Sequence, residues 1–224
     1  MTHSSSDDVP SGLRRLTDPE AVKLAHLSGT FEDLQTVLRC CERLVDALAK
    51  HDDAGPDELL IEALWTTALL SYSRCFTTDV GNARLSPEDL AGSHLRGDIL
   101  GWHKVLLDLR AHYASRRTNP RELFSVGVAQ DQLGAASGIG ITGLRQPLVE
   151  DVAVRQTGAV ALMLSDLVNG RIAAEQEKLF AAWKDTPHAA LDELEPLDIL
   201  PPEQGDYFAA APADSGLEFT QGSV

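Results

Sequence analysis

The chain has 224 residues, 43% of them hydrophobic but only 5% aromatic, and a formal net charge of −15. That length accommodates one substantial core with tails. A core of Leu, Val and Ala suits packed helices better than a β-sandwich. No apolar run approaches the roughly 18–20 residues needed to span a bilayer, and Met1–Pro10 is polar and acidic with no hydrophobic signal region, so the expectation is a cytoplasmic protein with no membrane contact.

The charge is unevenly distributed. Nine acids and no Lys or Arg lie from Asp185 onward, and the first 20 residues carry a net −2, which leaves −4 for residues 21–184. A mildly acidic body is compatible with a local anion contact. The three cysteines, Cys40, Cys41 and Cys75, fall inside helical patterns without Cys-x-x-Cys or Cys/His ligand spacing. They are expected to be buried free thiols, with no metal site and no cofactor.

In chain order, residues 1–17 are Ser/Asp/Pro/Gly-rich and are expected to be a disordered leader. Asp18-Pro19-Glu20 is a helix start, predicting a short helix to about His26. Ser28-Gly29-Thr30 then reads as a break, with Thr30 capping a long helix whose stripe is Leu34, Leu38, Cys41, Val45 and Leu48. Pro56-Asp57-Glu58 restarts a helix through Leu60, Leu64, Ala68, Tyr72 and Phe76, with acids at its positive end. Ser86-Pro87-Glu88-Asp89 starts a brief helix. The third main helix has Leu95, Ile99, Trp102, Leu106, Leu109 and Tyr113 as its buried stripe and stops before Thr118-Asn119-Pro120.

Phe124–Val128 and Gly138–Thr142 alternate β-branched or aromatic residues with small ones, which predicts a β-hairpin at about 123–143. A hairpin alone is marginal in water, so this one must lie against helices or a partner. From Glu150 to Lys184 no proline interrupts a helix about 50 Å long. Its middle, Gly158–Leu164, is apolar nearly all round, predicting burial in the bundle or in a homodimer through this C-terminal helix. Residues 187–224, with five prolines, read as an acidic disordered tail. The expected fold is thus mainly α: an antiparallel bundle of four main helices over 18–186, with the hairpin inserted between the third and fourth.

The chemistry-bearing residues concentrate on the third main helix and just beyond it. Lys104, Arg110, Arg116, Arg117 and Arg121 face only Asp108 over that stretch, a local +4 on an acidic chain. Guanidinium forks hold phosphates bidentately, which makes these five the candidate anion- or RNA-binding set. The same cations also suit the negative end of a helix dipole, with their stems covering apolar surface. His103 and Arg110, seven residues apart, project from nearly one edge. His103, Arg110 and His112 are the candidate catalytic residues, histidine being the natural proton carrier near neutral pH. Arg74 is expected to form an ion pair with Asp79, Asp108 or the tail. Gly138–Gly143 lacks the Lys-Ser/Thr of a phosphate loop, and no zincin, hydrolase or di-iron ligand set occurs.

The order of long helix, helix with Trp65 to Phe76, helix with Arg110, hairpin and long helix resembles the HEPN superfamily of small helical domains, which includes ribonuclease toxins and defence proteins, and also resembles uncharacterised actinobacterial helical proteins carrying a run like Tyr72–Phe76. The resemblance covers roughly residues 30–184. It implies an arginine followed by a polar residue and, a few positions on, a histidine at a helix end in a dimer cleft. Arg110 takes the arginine position and Ala111 that of the polar residue. The histidine position falls at Ser115, Arg116 or Arg117. The resemblance therefore implies a non-catalytic binding or scaffold protein, in a defence or toxin-antitoxin module, with a homodimer and an RNA or protein partner. Its alternative is a degenerate, metal-independent endoribonuclease using His103 or His112. A third reading has the acidic tail mimicking nucleic acid on the protein's own basic edge.

Overall fold

The computed structural model describes residues 12–50, 55–77, 83–114, 123–144 and 148–197. Among them are six helices and one hairpin: α1 (Pro19–Ala49), α2 (Glu58–Thr77), α3 (Pro87–Ala91), α4 (Ile99–Ala114), β1 (Leu123–Gln130), β2 (Ala136–Leu144), α5 (Asp151–Trp183) and α6 (His188–Asp192). The chain is mainly helical, with the hairpin inserted between α4 and α5. The chain divides into two units, Thr17–Asp185 and a small one formed by Met1–Leu16 with Thr186–Val224.

In the larger unit, α1 packs along both α5 and α2, and α4 packs on α2. The start of α1 lies where the sequence places it: the Asp18 carboxylate accepts from the Ala21 N–H at 2.8 Å, and Pro19 opens the helix. The break at Ser28-Gly29-Thr30 does not occur. α1 runs through it for 31 residues, with the Ser28 and Thr30 hydroxyls donating to the carbonyls of Leu24 and His26 at 3.0 and 3.1 Å. Leu27 and Thr30, before and within the expected break, are both buried, so tertiary packing overrides the local cost of glycine. The buried stripe is also rotated from the expected one. Leu34, Val37, Cys40, Cys41 and Leu44 point inward, and Leu38, Val45 and Leu48 are half-buried against them.

α2 starts as expected, the Asp57 carboxylate accepting from the Leu60 N–H at 3.0 Å. It buries Ile61, Trp65, Ala68, Leu69, Tyr72 and Cys75. α3 begins at Ser86, whose N–H donates to the Asp89 carboxylate at 2.9 Å. In α4 Leu106 and His103 are buried, with Trp102, Leu109 and Tyr113 half-buried. The 33-residue α5 has Glu150 and Lys184 at its ends. Val154, Val160, Ala161, Leu164 and Val168 face the core, whereas Leu162 is exposed, so its middle is covered on one side within the chain. Side-chain hydrogen bonds help to hold α5 in place, among them Gln35 donating to Ser165 at 2.8 Å and the Trp102 indole to Thr157 at 3.2 Å.

The hairpin is an antiparallel ribbon with Phe124 opposite Gly143, Val126 opposite Ile141 and Val128 opposite Ile139, and a bulge at Ala129/Gln130. Its turn is built by Asp131, whose carboxylate accepts from the N–H groups of Leu133 and Ala135 at 2.9 Å each, and by Gly134 at φ +81°. Every described side chain from Phe124 to Gly143 is exposed, so the expected packing against helices is absent among the described residues.

In the smaller unit Arg14 bridges to Pro196, Leu197 donates to the Leu13 carbonyl at 3.0 Å, and Arg14 pairs with Asp192 at 2.7 Å. Leader and tail are thus not featureless throughout: residues 12–16 and 188–197 hold ordered contacts, including α6. Residues 1–11 and 198–224 lie outside the described residues.

Candidate functional site

The structure separates the candidate catalytic set. His103 is only 8% exposed. Its Nδ1 shares a 2.9 Å hydrogen bond with the Tyr72 hydroxyl. Its ring lies 4.4 Å from that of Phe76 and 5.8 Å from that of Tyr72, centroid to centroid. Burial pushes its pKa below 6.5 and so favours the neutral imidazole. Burial likewise pushes the Tyr72 phenol above its usual 10.0. This is a satisfied polar pair inside the α2–α4 seam: His103 shares an edge of α4 with Arg110, as its spacing predicts, but its ring is buried and faces Tyr72, a residue 31 positions earlier.

Lys104, Arg110 and His112 are exposed on α4. At about 100° per residue, Lys104 and Arg110 project some 120° apart, and Arg110 and His112 some 160° apart. Arg110 shares its azimuth with His103 but sits about 10 Å further along the axis. Among the described residues Arg110 has no ion-pair partner. A guanidinium can hold an anion; of the two histidines of α4, His103 is buried against Tyr72 and His112 lies on a different face from Arg110. Arg116, Arg117 and Arg121, the rest of the expected set, lie outside the described residues.

The other chemistry-bearing groups are engaged internally. Arg74 pairs with Asp33 of α1, its Nε 3.0 Å from Oδ2 and its second nitrogen on Oδ1; of the expected partners, Asp79 and the tail beyond residue 197 lie outside the described residues. Cys40, Cys41 and Cys75 are buried free thiols. Burial raises Cys41 and Cys75 to about 12, so neither supplies a thiolate.

A polar cleft of about 370 Å³, lined by Lys23, Arg84, Ser86, Asp89, Arg171 and Glu175 among others, was not legible in the sequence. Here Lys23 donates to Glu175 at 2.7 Å and Lys178 to the same oxygen at 3.0 Å. Both bonds, the one to Lys23 foremost, lower the Glu175 pKa. Arg171 forks onto Asp89. These pairs tie α1 and α3 to α5. Asp89 was visible only as a capping residue, and Glu175 carried no local signal. The described residues contain no group of three or more His, Cys, Asp or Glu able to hold a metal, and no described helix is long and apolar enough to cross a membrane.

No protein-family model, curated protein or solved structure matches the chain.

Proposed function

We propose that this chain is a non-catalytic, HEPN-like helical binding or scaffold protein that self-associates and offers the cations of α4 to an anionic partner, RNA or an acidic protein surface. The observation that carries the reading is the burial of His103 against Tyr72 and Phe76, while Arg110 stands exposed. A guanidinium stabilises phosphate charge by itself. Strand cleavage also needs a group to move protons, and the imidazole on Arg110's own edge is committed to the core. The contact expected for self-association, α5, exposes Val152 and Leu162 beside the charged Arg155 and Asp166.

The test is a titration of end-labelled single-stranded RNA with wild type and Arg110→Ala. Binding that weakens in Arg110→Ala, with the RNA intact, supports the reading. Cleavage that disappears in His112→Ala replaces it with the metal-independent ribonuclease. RNA affinity that Arg110→Ala leaves unchanged removes the nucleic-acid contact.

A further inference from the structure

The β1–β2 ribbon has two unlike faces. Because strand residues alternate and the register sets Val126 against Ile141 and Val128 against Ile139, Phe124, Val126, Val128, Ile139 and Ile141 all share one face. The opposite face carries Ser125, Gly127, Ala129, Gly138, Gly140 and Thr142. The five apolar side chains are 61% to 70% exposed. At the end of the face Phe124 lies over its partner Gly143, where an added Cβ would stand 3.2 Å from the ring. The result is a continuous apolar face of roughly 500 Å², towards the top of the range for the largest such patch on an ordinary monomer.

We infer that this face is the self-association surface of the protein, each ribbon packing its apolar face on that of a second copy. The inference rests on the self-association proposed above and assigns it to the ribbon instead of α5. Two observations select a second copy as the occupant. The first is charge: residues 123–144 contain one charged residue, Asp131, and it sits in the turn. In a chain of net −15 this is a place where like can meet like without facing carboxylates, and it offers no cation to a nucleic acid. An isologous interface needs such self-compatibility. The second is area: one face is too small for a stable interface alone, but two removed together amount to roughly 1,000 Å², where specific interfaces begin. Two ribbons stacked about 10 Å apart form a miniature two-layer sandwich, which also supplies the covering that a lone hairpin lacks. By contrast, the exposed Leu162 and Val152 of α5 are interrupted by Arg155, Gln156 and Asp166.

Sedimentation of the full chain over a concentration series tests this. Wild type is expected to sediment as two 24.2 kDa chains and Val126→Lys/Ile141→Lys as one, with helical circular dichroism unchanged because these side chains do not pack on the bundle, and with a Tm that has lost the concentration dependence of wild type. Val126→Cys should form a disulfide-linked dimer on oxidation, and Ser125→Cys, on the opposite face, should not. A monomeric wild type overturns both this inference and the self-association above. A dimer that survives Val126→Lys/Ile141→Lys but falls apart in Leu162→Lys overturns this inference alone. Equal cross-linking by the two cysteine variants overturns it too. So does a chain that stays monomeric in solution but floats with phosphatidylglycerol vesicles through Val126 and Ile141, since lipid is then the occupant.

Discussion

In the helical core Leu34, Leu44, Tyr72, Leu106 and Leu164 are fully withdrawn from solvent, whereas in the β1–β2 ribbon Phe124, Val126, Val128, Ile139 and Ile141 stand mostly in it. The residue types are similar and the patterns equally regular, with period 3.6 in one and 2 in the other. What differs is the supply of partners. α1 has α2 and α5 on either side and can satisfy its stripe within the chain. The ribbon pairs only with itself and has no element over either face among the described residues. The same apolar pattern therefore builds stability in the bundle and availability in the ribbon.

The comparison breaks most readily at Leu164. Leu164→Ala opens a cavity between α5 and its neighbours and is expected to cost about 2–5 kcal/mol, while Val126→Ala in the ribbon should change monomer stability by no more than about 0.5 kcal/mol. Urea unfolding at low protein concentration measures both, and equal losses would mean the ribbon is packed after all. Tyr72→Phe comes next. It leaves the buried His103 Nδ1 without its hydroxyl partner, an expected loss of about 1–3 kcal/mol visible as a lower Tm.

His103 also imposes a pH dependence. Its folded-state pKa is depressed by burial, so its contribution is present above 6.5, the ordinary value, and declines as pH falls below it towards the folded-state value, because the unfolded chain takes up the proton first. Denaturation midpoints between pH 7.5 and 5 should fall for wild type and flatten in His103→Asn; parallel curves would place the titrating group elsewhere. Glu175 acts in the same direction at lower pH. Its carboxyl is held below 4.5 by Lys23 and Lys178, so the stabilisation is present above that pH and lost as pH falls through the folded value. Glu175→Gln should remove that part of the acid sensitivity. The smallest effect belongs to Arg110→Ala, expected within about 0.5 kcal/mol of wild-type stability even where it weakens RNA binding.

Much of the architecture was written locally. Asp18-Pro19, Asp57 and Ser86-Pro87 start helices because each supplies an acceptor or a preset backbone angle to groups within three residues. The alternation in Phe124–Val128 and Gly138–Thr142 marked the two strands of the hairpin. Where local signals failed, a distant surface had outvoted them. Ser28-Gly29-Thr30 read as a break because Thr30 suits an N-cap position, yet the burial of Leu27 and Thr30 carries α1 through it. The site was less legible than the fold. Nothing near position 103 announces that its imidazole belongs to Tyr72, 31 residues away, or near position 74 that its guanidinium belongs to Asp33, 41 residues away.

The sequence by itself determined where most helices begin, that a hairpin interrupts them, and that α4 carries exposed cations, since each depends on hydrogen bonds and periodicities spanning a few residues. Only the tertiary structure decided which polar groups are spent inside the protein and which apolar ones are left over. Burial and pairing are properties of surfaces assembled from separate helices, as when Asp89 meets Arg171 across 82 residues of chain.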